Sequence, residues 1–547
     1  MTESPQSFRV SIPKSGIKKR VPTTLPKTTI ELIYRAAERF GDRAFIEENG
    51  TKISFAEFKT HCIQTAAGLK SLGFAPGDRA AIWAPNISEW IIAAFGIHFA
   101  GGEIVTLNTR YKGEEAAAIL NDSGANTLFV IGDFLGTKYP DMLAGLTLPQ
   151  LQNIVTFRDE EQLGWAELQT RGKAWLKAHG ADTIEQEALG IPGSAISDIM
   201  FTSGTTGRAK GVLTSHDQNV EAFMVFSELL GLDDTDRYLI INPFFHSFGF
   251  KAGLIACLCR GCTVLPEAIF DVDKILGRID AEGVTVMPGP PTIFQSILAH
   301  PKRHEYSLAS LSKCTTGAAV IPTELIIAMR DELKIETIIT AYGLSESCGL
   351  STMCRIGDDP ETIAKTSGRA IPGVEVRCAD TEGNTVAHGE QGEILVRGFN
   401  VMQGYLDNPV ATAESIDDEG WLHTGDVGRM DEVGNLTITD RLKDMYISGG
   451  FNCYPAEIEN ALLRHDDIVQ CAVIGYPDER MGEVGWAFLV LRDGVEESTE
   501  TYLAYAKNSM ANYKAPRKVV ICESLPMNAS GKVLKPTLRQ WALEGKF

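Results

Sequence analysis

From residue 28 onward, amphipathic helical segments alternate with short apolar segments, and this alternation limits the possible folds more than any other feature. The helical segments are Ile30–Phe40, Trp90–Ala100 and Ala116–Ser123, and the strand-like segments are Arg79–Ala84, Ile104–Leu107 and Thr127–Ile131. Such alternation is typical of strand–helix–strand units that build a parallel sheet. The same rhythm restarts after Asp198, so we predict an α/β fold with two doubly wound sheets.

The last third of the chain follows different patterns. Between about Gly373 and Asp440 the helical segments disappear, and short strand-like segments separated by Gly and Asp predict a small β-barrel-like module. After Asp440, helix and strand patterns mix again, which indicates a separate α+β domain. A chain of 547 residues is too long for a single core. We therefore predict a large N-terminal domain at 1–440 with its β module at about 373–440, a hinge at 441–446 and a small C-terminal domain at 447–547.

Composition excludes several classes of partner. The 51 basic and 71 acidic residues give a formal net charge of −20, which disfavours nucleic acid and anionic lipid surfaces. The longest apolar stretch, Trp90–Ala100, is interrupted by His98 and is far shorter than the roughly 20 residues that span a bilayer. The eleven cysteines are irregularly spaced, which suggests reduced thiols and a cytoplasmic location. The sequence leaves a homodimer open.

One glycine-rich segment carries the strongest chemical signal. It follows the apolar residues Ile199–Phe201 and interleaves glycines with hydroxyls and two cations. The donors that it offers to phosphate oxygens are Thr202, Ser203, Gly204, Thr205, Thr206, Gly207 and Lys210. It is not a Walker loop, because Ala209 precedes Lys210 and Gly211 follows it. Composition alone leaves a flexible polar loop equally open.

The segment closely resembles the phosphate loop of the adenylate-forming superfamily, which includes acyl-CoA synthetases, luciferases and peptide-synthetase adenylation domains. Further matches occur in the family's order, at Asn242–His246, Tyr342–Glu346, Thr424–Asp426, Asp440–Asp444 and Asn528–Lys532. The resemblance covers nearly the whole chain. It implies an ATP- and acyl-binding N-terminal domain, a mobile C-terminal domain, and ATP, Mg²⁺ and coenzyme A as cofactors or co-substrates.

The resemblance implies roles for residues at the nucleotide. Glu346 looks like the magnesium-associated carboxylate, with the hydroxyl of Ser345 beside it. Tyr342 and Gly343 would flank the adenine and the acyl site. Asp426 resembles the carboxylate that accepts both ribose hydroxyls, and Arg441 its helper at the hinge.

Four further positions belong to the moving parts that the resemblance implies. Lys532 resembles the adenylation lysine, and Lys443 occupies the hinge about which the last domain swings between two poses. The glycines Gly449 and Gly450 would leave room for the pantetheine arm of coenzyme A. A cation such as Lys532 is needed, since a carboxylate and a phosphate charge at 4 Å repel by about 4 kcal/mol at an effective dielectric near 20.

The acyl site is expected to be apolar. Amino-acid-activating relatives place an Asp in the segment that here reads Phe245–Phe248, so a substrate ammonium group would be buried without a partner. Gly317, Ala318 and Ala319 resemble the floor of the acyl pocket, with Phe250 and Tyr342 beside it. His246 stands at the gating aromatic position, as a gate or as a packed histidine.

Lys251 interrupts an otherwise apolar helix. We expect its side chain to extend to solvent, or to meet a polar group of the substrate or coenzyme A.

A closer resemblance is to bacterial ligases that activate the indanedione propanoate left after loss of steroid rings A and B. The stretches Asn242–Gly253, Pro288–Leu298 and Lys443–Glu459 carry it. Three alternatives remain open: a medium- or long-chain fatty acyl or aryl-acid CoA ligase, an enzyme that loads a carrier protein, and a catalytically silent homologue. The last is disfavoured because Glu346, Asp426, Arg441 and Lys532 are all intact.

Overall fold

The computed structural model of the chain describes residues 25–159, 163–202, 209–317, 321–441, 444–448, 451–495, 498–510, 512–528 and 532–547. In these ranges short strands alternate with helices up to Lys365, antiparallel strands follow to Arg441, and helices and strands mix again to the end. The predicted fold class is confirmed.

The first sheet has eight strands and carries the glycine-rich segment. Its strands, in spatial order, are Gly404–Tyr405, Lys210–Ser215, Ile196–Thr202, Glu103–Thr106, Arg79–Trp83, Thr127–Ile131, Asn153–Phe157 and Leu163–Gly164. All pairs from Ile196–Thr202 onward are parallel. The strands Ile196–Thr202 and Lys210–Ser215 instead form an antiparallel hairpin, which we call the phosphate-loop hairpin.

The second sheet shows that the two sheets are not strictly sequential. It consists of two four-stranded parts, one with Thr51–Ser54, Ala44–Glu48, Thr263–Pro266 and Arg237–Ile240, and one with Lys313–Thr316, Thr337–Tyr342, Thr352–Met353 and Arg369–Ala370. The early hairpin Ala44–Ser54 belongs to it, because Ile46 pairs with Val264. Single bridges of Val286 with Tyr238 and Lys313 join the two parts.

Helices begin where the sequence offers caps. The hydroxyl of Thr28 accepts a hydrogen bond from the backbone N–H of Glu31, and Ser54 and Glu57 form a capping box. The α-helices of eight or more residues are Thr29–Phe40, Phe55–Ser71, Ser88–Phe99, Gly113–Ser123, Trp165–His179, Ala181–Leu189, His216–Leu229, Val272–Glu282, Pro291–Ala299, Thr323–Asp331, Pro455–Leu462, Thr499–Ser509 and Lys535–Leu543. Shorter helices are Ser247–Gly249, Ala256–Arg260, Pro360–Lys365 and Pro409–Ser415, with a π-helix at Phe250–Ile255 and 3₁₀ turns at Pro140–Leu143, Arg303–Glu305 and Ser345–Ser347. None of the helices that the structure describes is both long and apolar enough to cross a bilayer.

The β module is a four-stranded antiparallel sheet. Its strands are Val374–Ala379, Gly392–Gly398, Leu422–Met430 and Leu436–Arg441. Its buried residues Val396, Leu422 and Leu436 belong to the same hydrophobic cluster as the two larger sheets.

The C-terminal part has its own cores. Its strands are Tyr446–Ser448, Phe451–Cys453, Ile468–Asp478, Gly482–Leu491 and Lys518–Ile521. Tyr446, Ile458 and Leu489 belong to one buried cluster, while Ile474 and Phe488 belong to another. Neither is part of the large cluster, and the exact domain boundaries and hinge stay predictions.

Gly172→Ala is expected to destabilise the large α/β part, because a Cβ at this position would lie 2.1 Å from the carbonyl oxygen of Gln64 in the neighbouring helix. Overpacking of this kind costs about 1–3 kcal/mol, so thermal denaturation should show a lower Tm. Gly277→Ala is the matched control, because its nearest new contact is at 4.0 Å and alanine favours a helix interior. Equal Tm values for both variants would contradict the packing of Gly172.

Candidate active site

The phosphate-loop hairpin fixes both ends of the glycine-rich segment. Thr202 ends the first strand and pairs directly with Lys210, which begins the second. The predicted phosphate ligands Ser203, Gly204, Thr205, Thr206 and Gly207 lie outside the described residues. The ammonium group of Lys210 stands 4.8 Å from the centre of the Tyr405 ring. This cation–π contact holds Lys210 at the end of the hairpin.

Tyr405 also contacts Glu346, which brings two predicted catalytic residues together. Its hydroxyl donates a hydrogen bond of 2.9 Å to Glu346 Oε1, and the backbone N–H of Met402 donates to the Glu346 carbonyl at 2.9 Å. Burial raises the pKa of Tyr405, and the Glu346 carboxylate raises it further. The phenol therefore stays a donor. Sequence reasoning missed this residue, since a lone tyrosine in a turn carries no signal until its strand pairs with Lys210–Ser215.

A second contact joins the second sheet to the β module. The hydroxyl of Tyr342, at the end of Thr337–Tyr342, donates a hydrogen bond of 2.7 Å to Asp426 Oδ2. Both side chains are buried. In the β module Asp426 pairs in register with Arg441, whose side chain lies outside the described residues. The predicted adenine-flanking and ribose-binding residues are thus in direct contact.

The loop that carries Ser345 and Glu346 is closed by a tight backbone contact between Gly343 and Gly349, which we call the neck. A Cβ on Gly343 would lie 2.3 Å from the backbone carbon of Gly349, so only glycine fits there. Gly349 itself has φ +90°, a conformation that favours glycine. The backbone N–H of Ser351 closes the neck by donating to the carbonyl of Tyr342 at 2.7 Å. Glu346 is therefore presented on a rigid loop.

His246 lies close to two cations. It precedes the short helix Ser247–Gly249, and its Nδ1 accepts a hydrogen bond of 3.2 Å from the backbone N–H of Phe248. The pKa of His246 is lowered by desolvation in the surrounding protein and by the positive charges of Lys251 and Lys532. The imidazole is neutral at pH 7.

The predicted acyl-pocket residues are placed unequally. The Phe250 ring lies in the core, 5.5 Å from Trp90 and 5.9 Å from Phe95 between ring centres, so its contact with a substrate stays a prediction. Gly317 directly follows the strand Lys313–Thr316, and among the residues that the structure describes a Cβ there would meet the Ala341 carbonyl at 3.7 Å, an ordinary van der Waals contact. Ala318 and Ala319 lie outside the described residues.

Lys532 is exposed and is hydrogen-bonded to Asn528 through its backbone. Its backbone N–H donates to Asn528 Oδ1 at 2.9 Å, and its carbonyl accepts from the backbone N–H of Asn528 at 2.8 Å. The positive charge of Lys532 contributes to the lowered pKa of His246, so this residue of the C-terminal part acts electrostatically on the gating position. The hinge residue Lys443 and the tunnel glycines Gly449 and Gly450 lie outside the described residues.

The expectation that Lys251 extends to solvent is wrong. Its side chain is 1% exposed and pairs with Asp198, which is fully buried, at 2.9 Å. The lysine faces inward because the π-helix Phe250–Ile255 is buried along its whole length.

The family of the chain follows from comparison with known proteins. Residues 33–406 match the AMP-binding enzyme family, and residues 457–532 match the AMP-binding enzyme C-terminal domain. The chain therefore belongs to the AMP-binding enzyme family.

Similar relatives narrow the class of reaction. One from Rhodococcus jostii (strain RHA1) is 46% identical over 532 residues, covering 95% of this chain and 99% of the relative, and is named 3-[(3aS,4S,7aS)-7a-methyl-1,5-dioxo-octahydro-1H-inden-4-yl]propanoyl:CoA ligase. A relative of the same name from Mycobacterium tuberculosis (strain ATCC 25618 / H37Rv) is 45% identical and covers 94% of this chain and 99% of the relative.

A solved structure agrees with these relatives. The O-succinylbenzoate coenzyme A synthetase of Bacillus subtilis, in complex with ATP and a magnesium ion, has a TM-score of 0.76 at 28% identity, covering 93% of this chain and 98% of that chain. The present chain is thus an acid–CoA ligase of the adenylate-forming superfamily, and the family uses ATP and coenzyme A. A carrier-loading enzyme and a silent homologue are not favoured.

Tyr405→Phe is expected to lower kcat for pyrophosphate release about tenfold, because a hydrogen bond to a charged group is lost while the ring under Lys210 remains. If Glu346 binds Mg²⁺, half-maximal activity should also need more Mg²⁺. Tyr139→Phe is the control, since that hydroxyl donates to the backbone carbonyl of Thr109 in the same part of the fold. Equal Mg²⁺ titrations for Tyr405→Phe and wild type would contradict the role of Tyr405.

His246 is expected to titrate below its ordinary pKa, and Lys532→Ala should raise its midpoint because one repelling cation is removed. NMR of selectively labelled histidines, assigned with His246→Ala, measures this. Lys535→Ala is the control, because that ammonium group pairs with Glu459 at 2.8 Å. An unchanged His246 midpoint in Lys532→Ala would contradict an electrostatic effect of Lys532 on His246.

Proposed function

We propose that the chain joins 3-[(3aS,4S,7aS)-7a-methyl-1,5-dioxo-octahydro-1H-inden-4-yl]propanoate to coenzyme A with ATP, releasing AMP and pyrophosphate. The observation that carries the proposal is the 46% identity, over nearly the full length of both chains, to the Rhodococcus jostii ligase of that name. A relative of the same name from a second genus supports it.

The chemistry around the acyl site supports a bulky neutral acid. The segment Phe245–Phe248 contains no carboxylate that could pair with a substrate ammonium group. Asp198 is already paired with Lys251. A bicyclic diketone instead offers an apolar ring system, with its one charge on the carboxylate that reacts.

The nucleotide would be held by two groups of residues. Hydroxyls and amides of 202–207, with Lys210, would bind the phosphates at the end of the phosphate-loop hairpin. At the other end Asp426 would accept the ribose hydroxyls, while the hydrogen bond from Tyr342 orients its carboxylate. Gly343 leaves space beside the adenine, and Arg441 would assist Asp426 from the neighbouring strand.

A magnesium ion fits the described donors. Mg²⁺ is commonly held by one or two carboxylates together with substrate phosphates, and Glu346 supplies one oriented carboxylate beside Lys210, through Tyr405. Glu346 would hold the ion, with the Ser345 hydroxyl nearby. When bound, the ion would neutralise charge on the phosphates.

In the first half-reaction the substrate carboxylate attacks the α-phosphorus of ATP. A carboxylate–phosphorus bond forms, the bond to the β-phosphate oxygen breaks, and pyrophosphate leaves. Lys532 would stand between the two anions and offset their repulsion of about 4 kcal/mol at 4 Å. The electrostatic effect of its positive charge on His246 supports a position near the acyl site.

In the second half-reaction the thiol of coenzyme A attacks the acyl carbon, and the bond from that carbon to AMP breaks. We propose that the thiol passes Gly449 and Gly450 and enters beside His246 after a swing about Lys443. Removing Lys532 from the site would also remove one of the cations that repel a proton from the imidazole. We further propose a cytoplasmic location, where thiols stay reduced.

Pyrophosphate release across a panel of acids, with and without coenzyme A, tests the substrate. The panel contains acetate, octanoate, palmitate, a cinnamate, the indanedione propanoate and an amino acid. The proposal expects the highest kcat/KM with the indanedione acid, and sustained turnover only with coenzyme A. A higher kcat/KM with a fatty or aryl acid would overturn the substrate, while leaving the acid–CoA ligase class intact.

The same pyrophosphate-release assay tests the role of Lys532 with the Lys532→Ala variant. Removal of one preorganised electrostatic group is expected to slow acyl-adenylate formation by about a hundredfold or more. Supplied acyl-adenylate should still react with coenzyme A at close to the wild-type rate. Equal losses in both half-reactions would contradict the role of Lys532.

A further inference from the structure

Lys251 and Asp198 form a buried ion pair inside the large α/β part. Nζ of Lys251 lies 2.9 Å from Asp198 Oδ2, and the two side chains are 1% and 0% exposed. Nζ also donates to Thr214 Oγ1 at 2.8 Å and contacts Cys348 Sγ at 3.9 Å. The Lys251 cation is therefore removed from water and contacts three side chains.

The carboxylate of Asp198 is equally well bound. It accepts hydrogen bonds from Ser197 Oγ at 2.8 Å, from Thr214 Oγ1 at 2.9 Å and from the amide of Asn219. Cys348 Sγ in turn donates to Asn219 Oδ1 at 2.9 Å. These contacts make one connected polar network within an apolar core.

The members of this network sit on the segments that carry the site. Asp198 is in the strand that ends at Thr202, and Thr214 is in the strand that begins with Lys210. Lys251 is in the π-helix that follows His246, and Cys348 directly follows the turn that contains Glu346. One ion pair thus joins the phosphate-loop hairpin to the His246 segment and the Glu346 turn.

Two observations suggest that the ion pair holds the surrounding segments in one arrangement. A buried ion pair is rarely more stabilising than apolar side chains of the same volume, whereas a fully satisfied network specifies one arrangement. The π-helix Phe250–Ile255 is an unusual element that occurs often at functional sites. It follows the segment whose close packing Gly249 shows, since a Cβ there would lie 2.2 Å from the carbonyl oxygen of Pro243.

We propose that Lys251 is a positioning residue for acyl-adenylate formation, which acts with Asp198 by holding the phosphate-loop hairpin, the His246 segment and the Glu346 turn in one arrangement. The inference rests on the proposed site roles of Lys210, His246 and Glu346, but not on the identity of the acid. Lys251 itself does not touch the reacting atoms.

The test replaces the charged pair by a neutral pair, Lys251→Met with Asp198→Asn, so that no unpaired charge is buried. Displacement of site groups by about 1 Å can slow a reaction about a hundredfold. We expect kcat for pyrophosphate release to fall at least about tenfold, while KM for ATP and for the acid changes less than about threefold. Rates are measured well below each Tm and normalised to folded protein.

The matched control is the pair Lys313 and Asp236, whose Nζ and Oδ2 are 2.7 Å apart with side chains 17% and 3% exposed. It lies at the beginning of Arg237–Ile240 and Lys313–Thr316, at the opposite end of those strands from His246 and Gly317. Lys313→Met with Asp236→Asn should change Tm while leaving kcat within about twofold of wild type.

Three results would overturn the inference. A folded Lys251→Met/Asp198→Asn variant with wild-type kcat removes the positioning role, and an increase in KM for the acid alone indicates direct substrate contact. Equal losses of kcat in both double variants indicate that the loss comes from lower overall stability.

If the neutral pair does not fold, Thr214→Val tests the inference instead, because it deletes only the hydroxyl between Nζ of Lys251 and the Asp198 carboxylate. A fall of kcat by about threefold or more is then expected, and wild-type kcat overturns the inference.

All variants are assayed with the acid that the wild-type chain uses best. A different best acid would overturn the proposed substrate and leave these ratios unchanged. The failure of one proposal is therefore distinguishable from the failure of the other.

Discussion

The antiparallel pairing of Ile196–Thr202 with Lys210–Ser215 is the constraint on which the site depends. The first of these strands also pairs in parallel with Glu103–Thr106, so the hairpin is built into the central sheet. The second strand pairs with Gly404–Tyr405, which brings a ring from a distant part of the sequence under Lys210. Backbone ladders thus set the distance between the Lys210 cation and the carboxylate of Glu346.

Periodicity predicted the local elements well, and physical reasons explain where it failed. The helix at Thr29–Phe40 and the strand at Thr127–Ile131 were predicted within one residue, because the helix buries one face at the helical period and the strand is a short, fully buried apolar run. The placement of Ala44–Ser54 in the second sheet could not be predicted, because it depends on pairing with Val264. Short-range patterns do not encode such distant partners.

The site was predictable mainly through resemblance. Isolated carboxylates such as Glu346 and Asp426 look like ordinary turn residues, and their order among the other motifs singled them out. Tyr405 and the Lys251–Asp198 pair were missed because their significance lies in contacts between segments. A lysine in an apolar helix predicts a charge near the surface, unless a carboxylate from another strand is known to meet it.

The neck between Gly343 and Gly349 has a consequence for how such an enzyme can diverge. Because their backbones touch, any side chain at Gly343 would force the loop that carries Glu346 apart. Within the described part of the chain a Cβ on Gly317 would make an ordinary contact with one carbonyl, so larger residues there could reshape the space available to an acid. Mutational drift can therefore change the range of acids while the nucleotide end stays invariant. New specificities would arise by substitutions around Gly317, while the backbone contact between Gly343 and Gly349 stays unchanged.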